Sequence, residues 1–389
     1  MLKFNYPLRR EIKMKKILFV IAAVALLASP AMALDWDFYG SARIQTSYHD
    51  WDSKDATTNT FQTSAFTTQT GSDAPNWSQS DDDQHLYWDL LGTSRVGARV
   101  KGDPVQGRFE FNNGVGTRLL WGQWKINSSL RLRVGQDWRP LNYFYSGQQI
   151  NDAGMAGPEG AGGVITHRDP QLKLIIGEGQ NLHIAFVDPD PAANLGNSDY
   201  DQFMPIIEAN YHFAADAFFF DVGGAFVSYD VEGGGTNAAN PDDSVDAWVV
   251  AAGGGFNFGP AYIKANAFYG LNVADLGFVT NQTFARNAAK PNASGEWDDN
   301  DTYGLLGVVG FRFTDQLAIE GGIGYENNED DFSGAKEDET MAVYAHLNWT
   351  AAPGVSIIPE IGYVDLMDNG NGVEEGDLTY FSIKWQVDF

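Results

Sequence analysis

From residue 34 onward the chain alternates apolar and polar positions with a period of two, in segments of about ten residues parted by polar stretches. In 36–45, Trp36, Phe38, Gly40, Ala42 and Ile44 share one face, while Asp37, Tyr39, Ser41, Arg43 and Gln45 share the other. The next segment, 86–101, sets Leu86, Trp88, Leu90, Val96, Ala98 and Val100 against Arg95, Arg99 and Lys101. Successive side chains of a strand point to opposite faces, so this pattern predicts strands with one apolar and one polar side. The alternation continues through 105–112, 118–126, 130–138, 164–176, 182–187, 204–213, 218–229, 247–258, 262–271, 303–313, 317–326, 341–349, 355–363 and 378–389, which makes sixteen segments. Pro170 falls inside the sixth, where its missing N–H predicts a bulge or a break.

The connections alternate in length as well. Tight turns are expected at 102–104, 127–129, 214–216, 259–260, 314–316 and 351–354, and long polar loops through 49–84, 139–163, 188–203, 231–246, 273–301, 327–339 and 366–376. A closed membrane barrel satisfies every backbone group between strands and meets lipid on one face and water on the other, which demands such alternation. An even strand count returns both chain ends to one side, so the short turns are assigned to the periplasm and the long loops to the exterior. A soluble β-sandwich or propeller also alternates, but would divide residues 34–389 into smaller units. No linker, fixed repeat or shift in composition marks such a boundary. The expected fold is all-β: one transmembrane antiparallel barrel domain over 34–389.

The start of the chain and its charge sharpen this picture. Met14-Lys15-Lys16 precedes an apolar run at 17–27 and then Ala31-Met32-Ala33, the layout of a cleaved secretory signal, so the mature chain is expected to begin at Leu34. Residues 1–13 precede this signal's own methionine and read as the product of a start placed too early. The apolar run is too short for a membrane helix, and nothing after residue 33 is long and apolar enough for one. The whole chain carries 25 Lys and Arg against 51 Asp and Glu; without the first 33 residues the balance is 19 against 50, which makes nucleic acid an unsuitable partner. With no cysteine there is no disulfide framework and no thiolate metal site.

Signals for chemistry are sparse. The six histidines, His49, His85, His167, His183, His212 and His346, show no metal-ligand spacing, and neither a Gly-x-Ser-x-Gly elbow nor a His-Glu-x-x-His helix occurs. No enzyme activity and no cofactor are expected. Acidic runs at 81–83, 298–301, 329–331 and 337–339 fall in the expected loops, where they keep the surface solvated or, on a sharper reading, hold divalent cations. None has the glycine and terminal glutamate of an EF-hand loop. Trp36, Trp88, Trp138, Tyr211, Tyr262, Trp349, Tyr363 and Trp385 lie near expected strand ends, as the aromatic girdles of a barrel would.

The chain stops on Phe389, and counting back by twos gives Val387, Trp385, Ile383 and Phe381. This resembles the C-terminal signature of Gram-negative outer-membrane proteins, in which a terminal aromatic and alternating apolar residues are read by the barrel assembly machinery. With sixteen strands, the layout resembles the general porins, trimeric barrels in which the loop after the fifth strand folds into the pore. Here that loop is 139–163, and its Pro158-Glu159-Gly160 is similar to the family's acidic tip. The resemblance implies a pore constriction in which Glu159 and Asp152 face wall arginines drawn from Arg43, Arg95, Arg99, Arg108, Arg131 and Arg133, all on the expected inner face. Of the 19 basic residues after residue 33, 13 lie at or before Lys173, which would put positive charge on one side of the lumen. The plainer alternative is that these arginines pair with wall acids such as Asp37, Asp89 and Glu110. The resemblance further implies a homotrimer in the outer membrane, in contact with its lipid and lipopolysaccharide, passing small hydrophilic solutes by passive diffusion. A substrate-specific channel and a structural or adhesive barrel are the other readings.

Overall fold

A computed structural model describes residues 34–52, 83–157, 159–179, 181–189, 199–232, 243–279, 287–291, 297–331 and 334–389. The expected signal peptide and cleavage site within 1–33, most of the first long loop with Asp81 and Asp82, and Pro158 lie outside the described residues. The strands are β1 (Asp35–Asp52), β2 (Asp83–Leu90 and Arg95–Lys101), β3 (Val105–Asn112), β4 (Thr117–Lys125), β5 (Leu130–Trp138), β6 (Arg168–Ile176), β7 (Leu182–Val187) and β8 (Asp199–Asp201 and Ile206–Ala214). They continue as β9 (Phe218–Glu232), β10 (Asp243–Phe258), β11 (Ala261–Leu271), β12 (Asn300–Arg312), β13 (Leu317–Asp330), β14 (Asp338–Ala352), β15 (Val355–Asp365) and β16 (Asp377–Asp388). The two halves of β2 both pair with β1, and the two halves of β8 both pair with β9, so the 18 hydrogen-bonded segments form a wall of sixteen strands. A separate two-stranded ribbon joins Lys290–Pro291 to Trp297–Asp298.

Every neighbour pair is antiparallel, and β16 closes on β1 from Ser41↔Asp388 to Asp52↔Asp377. The closure ends on Phe389, whose backbone exchanges hydrogen bonds with Gly40, N–H to carbonyl in both directions, at 2.6 and 3.0 Å. Its ring lies over Gly40, where a Cβ would collide with the phenyl carbons. Outward positions are apolar and exposed, as with Phe38, Ile44, Trp88, Val250, Ile323, Phe381, Trp385 and Val387, whereas inward positions such as Gln45, Ser47 and Lys384 are buried. Trp36, Trp88, Tyr211, Trp349 and Trp385 stand exposed on the outside as a girdle would require, but Tyr262 points inward and donates its hydroxyl to Glu320.

Wall height is uneven. Strands β3 to β7 have 8, 9, 9, 9 and 6 residues, whereas β1, β9, β10 and β14 have 18, 15, 16 and 15. The tall strands rise beyond the apolar band into polar sequence, so they run into segments expected as loops. The acidic residues Glu329, Asp330, Asp338 and Glu339 accordingly lie in strands. The sixth strand begins at Arg168, not at Val164. Pro170 is tolerated because pairing with β7 ends at Gln171↔Val187, so its missing donor interrupts no ladder on that side.

The buried core lies inside the barrel and to one side. Leu141, Tyr143, Ile150, Met155 and Val164 of the long segment between β5 and β6 pack on inward residues of the tall wall, including Ala225, Val227, Val249, Phe268 and Leu306. Residues 273–279 join from the other side, with Leu276 and Phe278 in the same cluster and Thr166 bridged to Phe278.

Candidate functional site

The 139–167 segment leaves β5, crosses the lumen and lies against β8 to β16 and β1. Extended backbone alternates its side chains, so Leu141, Tyr143 and Tyr145 turn toward the wall and are buried. The Tyr143 hydroxyl reaches Asn210 at 3.1 Å on β8, and that of Tyr145 reaches Asp221 at 2.7 Å on β9. A segment that makes no ladder must satisfy its backbone otherwise. Inward carboxylates supply the acceptors: Leu141 N–H donates to Glu208, Gly147 N–H to Glu320, and Gln149 and Ile150 N–H to Glu360 at 2.6 and 2.9 Å. The glycine-rich end then lies backbone against backbone on β12 and β13. Gly162 has φ +71°, and a Cβ there would collide with the Leu305 carbonyl, while one on Gly324 would strike the Ala161 carbonyl.

At the tip, Asp152 ion-pairs with Arg43 at 2.9 Å and Lys384 at 2.7 Å, and accepts from the Thr93 hydroxyl. Thr93 reaches it because β2 is broken at 91–94, and such a bulge re-aims a side chain. Burial alone would raise the Asp152 carboxyl, but Lys384 and Arg43 hold it below the usual range. Glu159 is only 1% exposed and turns into the loop, accepting from Asn151. Burial, with Glu360 nearby, pushes its carboxyl up to about 7.

The opposite flank is left uncovered by the loop. Glu110 on β3 holds three guanidiniums: Arg118 at 2.8 Å, Arg108 at 2.9 Å and Arg95 at 3.6 Å. Asp137 on β5 holds Arg133 and Lys173, both at 2.6 Å. Together with Asp152, three carboxylates thus share seven cations. Arg168, beside Arg118 and Arg95, adds a further charge and has no ion pair with a described carboxylate.

No protein-family model matches this chain, and neither does any curated protein. Among solved structures, the outer membrane channel DcaP of Acinetobacter baumannii superposes with a TM-score of 0.70 at 15% identity, over 93% of this chain and 99% of that one. The chain has the fold of the sixteen-stranded outer-membrane porins. An anion-selective porin from Comamonas acidovorans has this porin fold with a TM-score of 0.57 at 12% identity, over 92% and 100% of the two chains. The trimer form of OmpT from Vibrio cholerae gives 0.55 at 14%, over 92% and 99%.

Within this porin fold, the expected confrontation across the lumen takes a different form. Glu159 faces none of Arg95, Arg99, Arg131 and Arg133; it is buried in its own loop because the preceding backbone folds back onto Gln148, whose amide donates to the Glu159 carbonyl at 2.6 Å. Asp152 meets Arg43, but its second partner is Lys384. Arg99 pairs with Asp37 at 3.4 Å, both about half exposed, beside the turn at 102–104, and Arg131 reaches the Gly177 carbonyl, so both sit at the turn end of the barrel. Arg95, Arg108 and Arg133 are brought to the uncovered flank, paired with wall acids as the plainer alternative holds. Arg118, Arg168, Lys173 and Lys384 were not singled out from sequence. Lys173 and Lys384 have the inward parity that would have found them, while the register shift at Glu110/Phe111 hides Arg118. The wall acids Glu208, Glu320 and Glu360 had a signal too, as carboxylates set among the apolar and small residues of their strands. Among the described residues no cluster of acids or histidines could hold a metal ion.

Proposed function

We propose that this protein is an outer-membrane porin, made with a cleaved signal peptide, whose water-filled lumen passes small hydrophilic solutes by passive diffusion and favours anions. One observation carries the reading: the inward loop lies over the acidic wall and leaves the basic wall facing the solute path. Glu208, Glu320 and Glu360 are at most 6% exposed beneath the loop, and their charge is spent on its backbone and side chains. Guanidiniums outnumber carboxylates on the open flank, and a constriction walled by low-dielectric protein focuses that excess charge on whatever passes. A wide sixteen-stranded barrel leaves room for such a path. The acidic residues at the loop end of the barrel raise cation concentration there, but the charge at the narrowest section decides which ion crosses.

The working unit in this reading is a homotrimer. A membrane-crossing strand needs about 9–11 residues, and β3 to β7, at 6 to 9, meet or fall short of it. Within and next to this low wall the outward faces of β4, β1 and β2 carry some of the most exposed apolar side chains, Leu120, Phe38, Leu86 and Trp88. A second copy covers a low apolar wall better than lipid does. Phe389, Val387 and Trp385 stand outward at the closing seam, where the barrel assembly machinery would read them. Vesicles containing the purified protein should swell in small sugars and amino acids and not in oligosaccharides, and native mass measurement in mild detergent should give three copies. Impermeable vesicles contradict the channel, and monomers at every concentration contradict the trimer.

A further inference from the structure

The solute-facing side of the inward loop is aromatic at one point. Alternation turns Phe144 away from the wall that Tyr143 and Tyr145 face, and its side chain is 53% exposed. Phe144 meets the Trp138 indole edge to face, with ring centroids 4.9 Å apart and planes at 79°. Across the β5–β6 pair, Arg168 is the direct partner of Trp138 and lays its guanidinium over the same indole, 4.4 Å from the ring centroid. Neighbouring carboxylates are engaged elsewhere: Glu110 with Arg95, Arg108 and Arg118, and Asp169 with Arg139 at 3.5 Å. The Arg168 N–H fork is taken by no described acceptor. A phenyl ring, an indole and an unengaged planar cation therefore form one continuous surface at the edge of the basic flank.

We propose that this surface is a binding subsite for aromatic carboxylates, in which Arg168 takes the carboxylate and Phe144 and Trp138 take the ring. The guanidinium fork matches a carboxylate bidentately and stays charged while stacked, which a lysine at this position would not reproduce. A solute whose ring and carboxylate are coplanar engages both parts at once, whereas an aliphatic acid gains only the charge. The proposal rests on the anion-favouring porin reading and narrows its solute class.

Benzoate and cyclohexanecarboxylate separate the two contributions, because they share charge and approximate size and differ in the π system. The saturated acid is the more apolar of the two, so simple hydrophobicity favours it. Titrated into planar bilayers holding the purified protein in KCl, benzoate should block the current with about fivefold higher apparent affinity, the size of one aromatic contact. Phe144→Leu keeps apolar bulk without that π face and should reduce the benzoate preference, and Arg168→Gln should weaken both. Heat-modifiable mobility of each variant verifies that its barrel has formed. Equal affinities in the unaltered protein, or a benzoate preference undiminished in Phe144→Leu, overturn the subsite. A protein that conducts nothing or conducts mainly cations overturns the porin reading beneath it, whereas an anion-selective channel indifferent to the ring overturns this proposal alone.

Discussion

Glu110 is 1% exposed and is the counter-charge for Arg95, Arg108 and Arg118. Arg108 also donates to the hydroxyl oxygen of Tyr39, whose ring centroid lies 5.3 Å from the guanidinium. Removing one member of a buried ionic group leaves its partners uncompensated, at a cost of about 3–5 kcal/mol. Glu110→Gln should therefore lower the temperature at which the purified protein loses its compact gel mobility and raise its preference for anions together. A variant as stable as the parent with unchanged selectivity would show that the three arginines do not depend on this carboxylate. Glu159 makes the opposite kind of prediction. Burial pushes its carboxyl up to about 7 in the folded loop, above the ordinary 4.5, so the folded state favours the protonated form. Stability from this group is complete below the ordinary value, declines as pH rises, and is lost once pH has passed about 7. Current fluctuations from loop movement should grow across that window in the parent and stay level in Glu159→Gln; equal pH dependence in both would exclude Glu159 as the group responsible.

At the level of elements, the strands were legible because alternation follows from the wall's two solvents, and a strand slipped by one residue would put charges such as Arg43 and Arg133 into lipid. Legibility failed where that rule lapses. Above the apolar band both faces of a strand are polar, so Asn327 and Asn328 of β13 carry no alternation to read. The loop-end connection between β3 and β4 spans only residues 113–116, so length alone does not assign every connection to its side. The loop's place in the lumen was reached through resemblance, but its side was not, because no local pattern shows that Glu208, Glu320 and Glu360 wait for its N–H groups. Deleting residues 151–160 tests that arrangement. Besides enlarging single-channel conductance, the deletion should move selectivity further toward anions, because it removes Asp152 and releases Arg43 and Lys384, while Gln149 and Ile150, which hold Glu360, remain. An unchanged conductance would place the segment outside the solute path.

For the whole molecule, the formal charge of −26 points one way and the open flank of the lumen points the other. Net charge speaks to solubility and to the surface, whereas permeation answers to the field at the narrowest section. The two are separable because a closed wall divides the chain into an outside, two mouths and one interior, and the loop divides that interior again into a covered acidic side and an open basic one. The most direct test is the zero-current potential of the purified protein in a planar bilayer under a KCl gradient. The dilute side should become negative relative to the concentrated side as chloride crosses faster than potassium, and replacing Arg118 and Arg168 together by Gln should shrink that potential. A dilute side that turns positive in the unaltered protein would contradict an open basic flank as the determinant of passage.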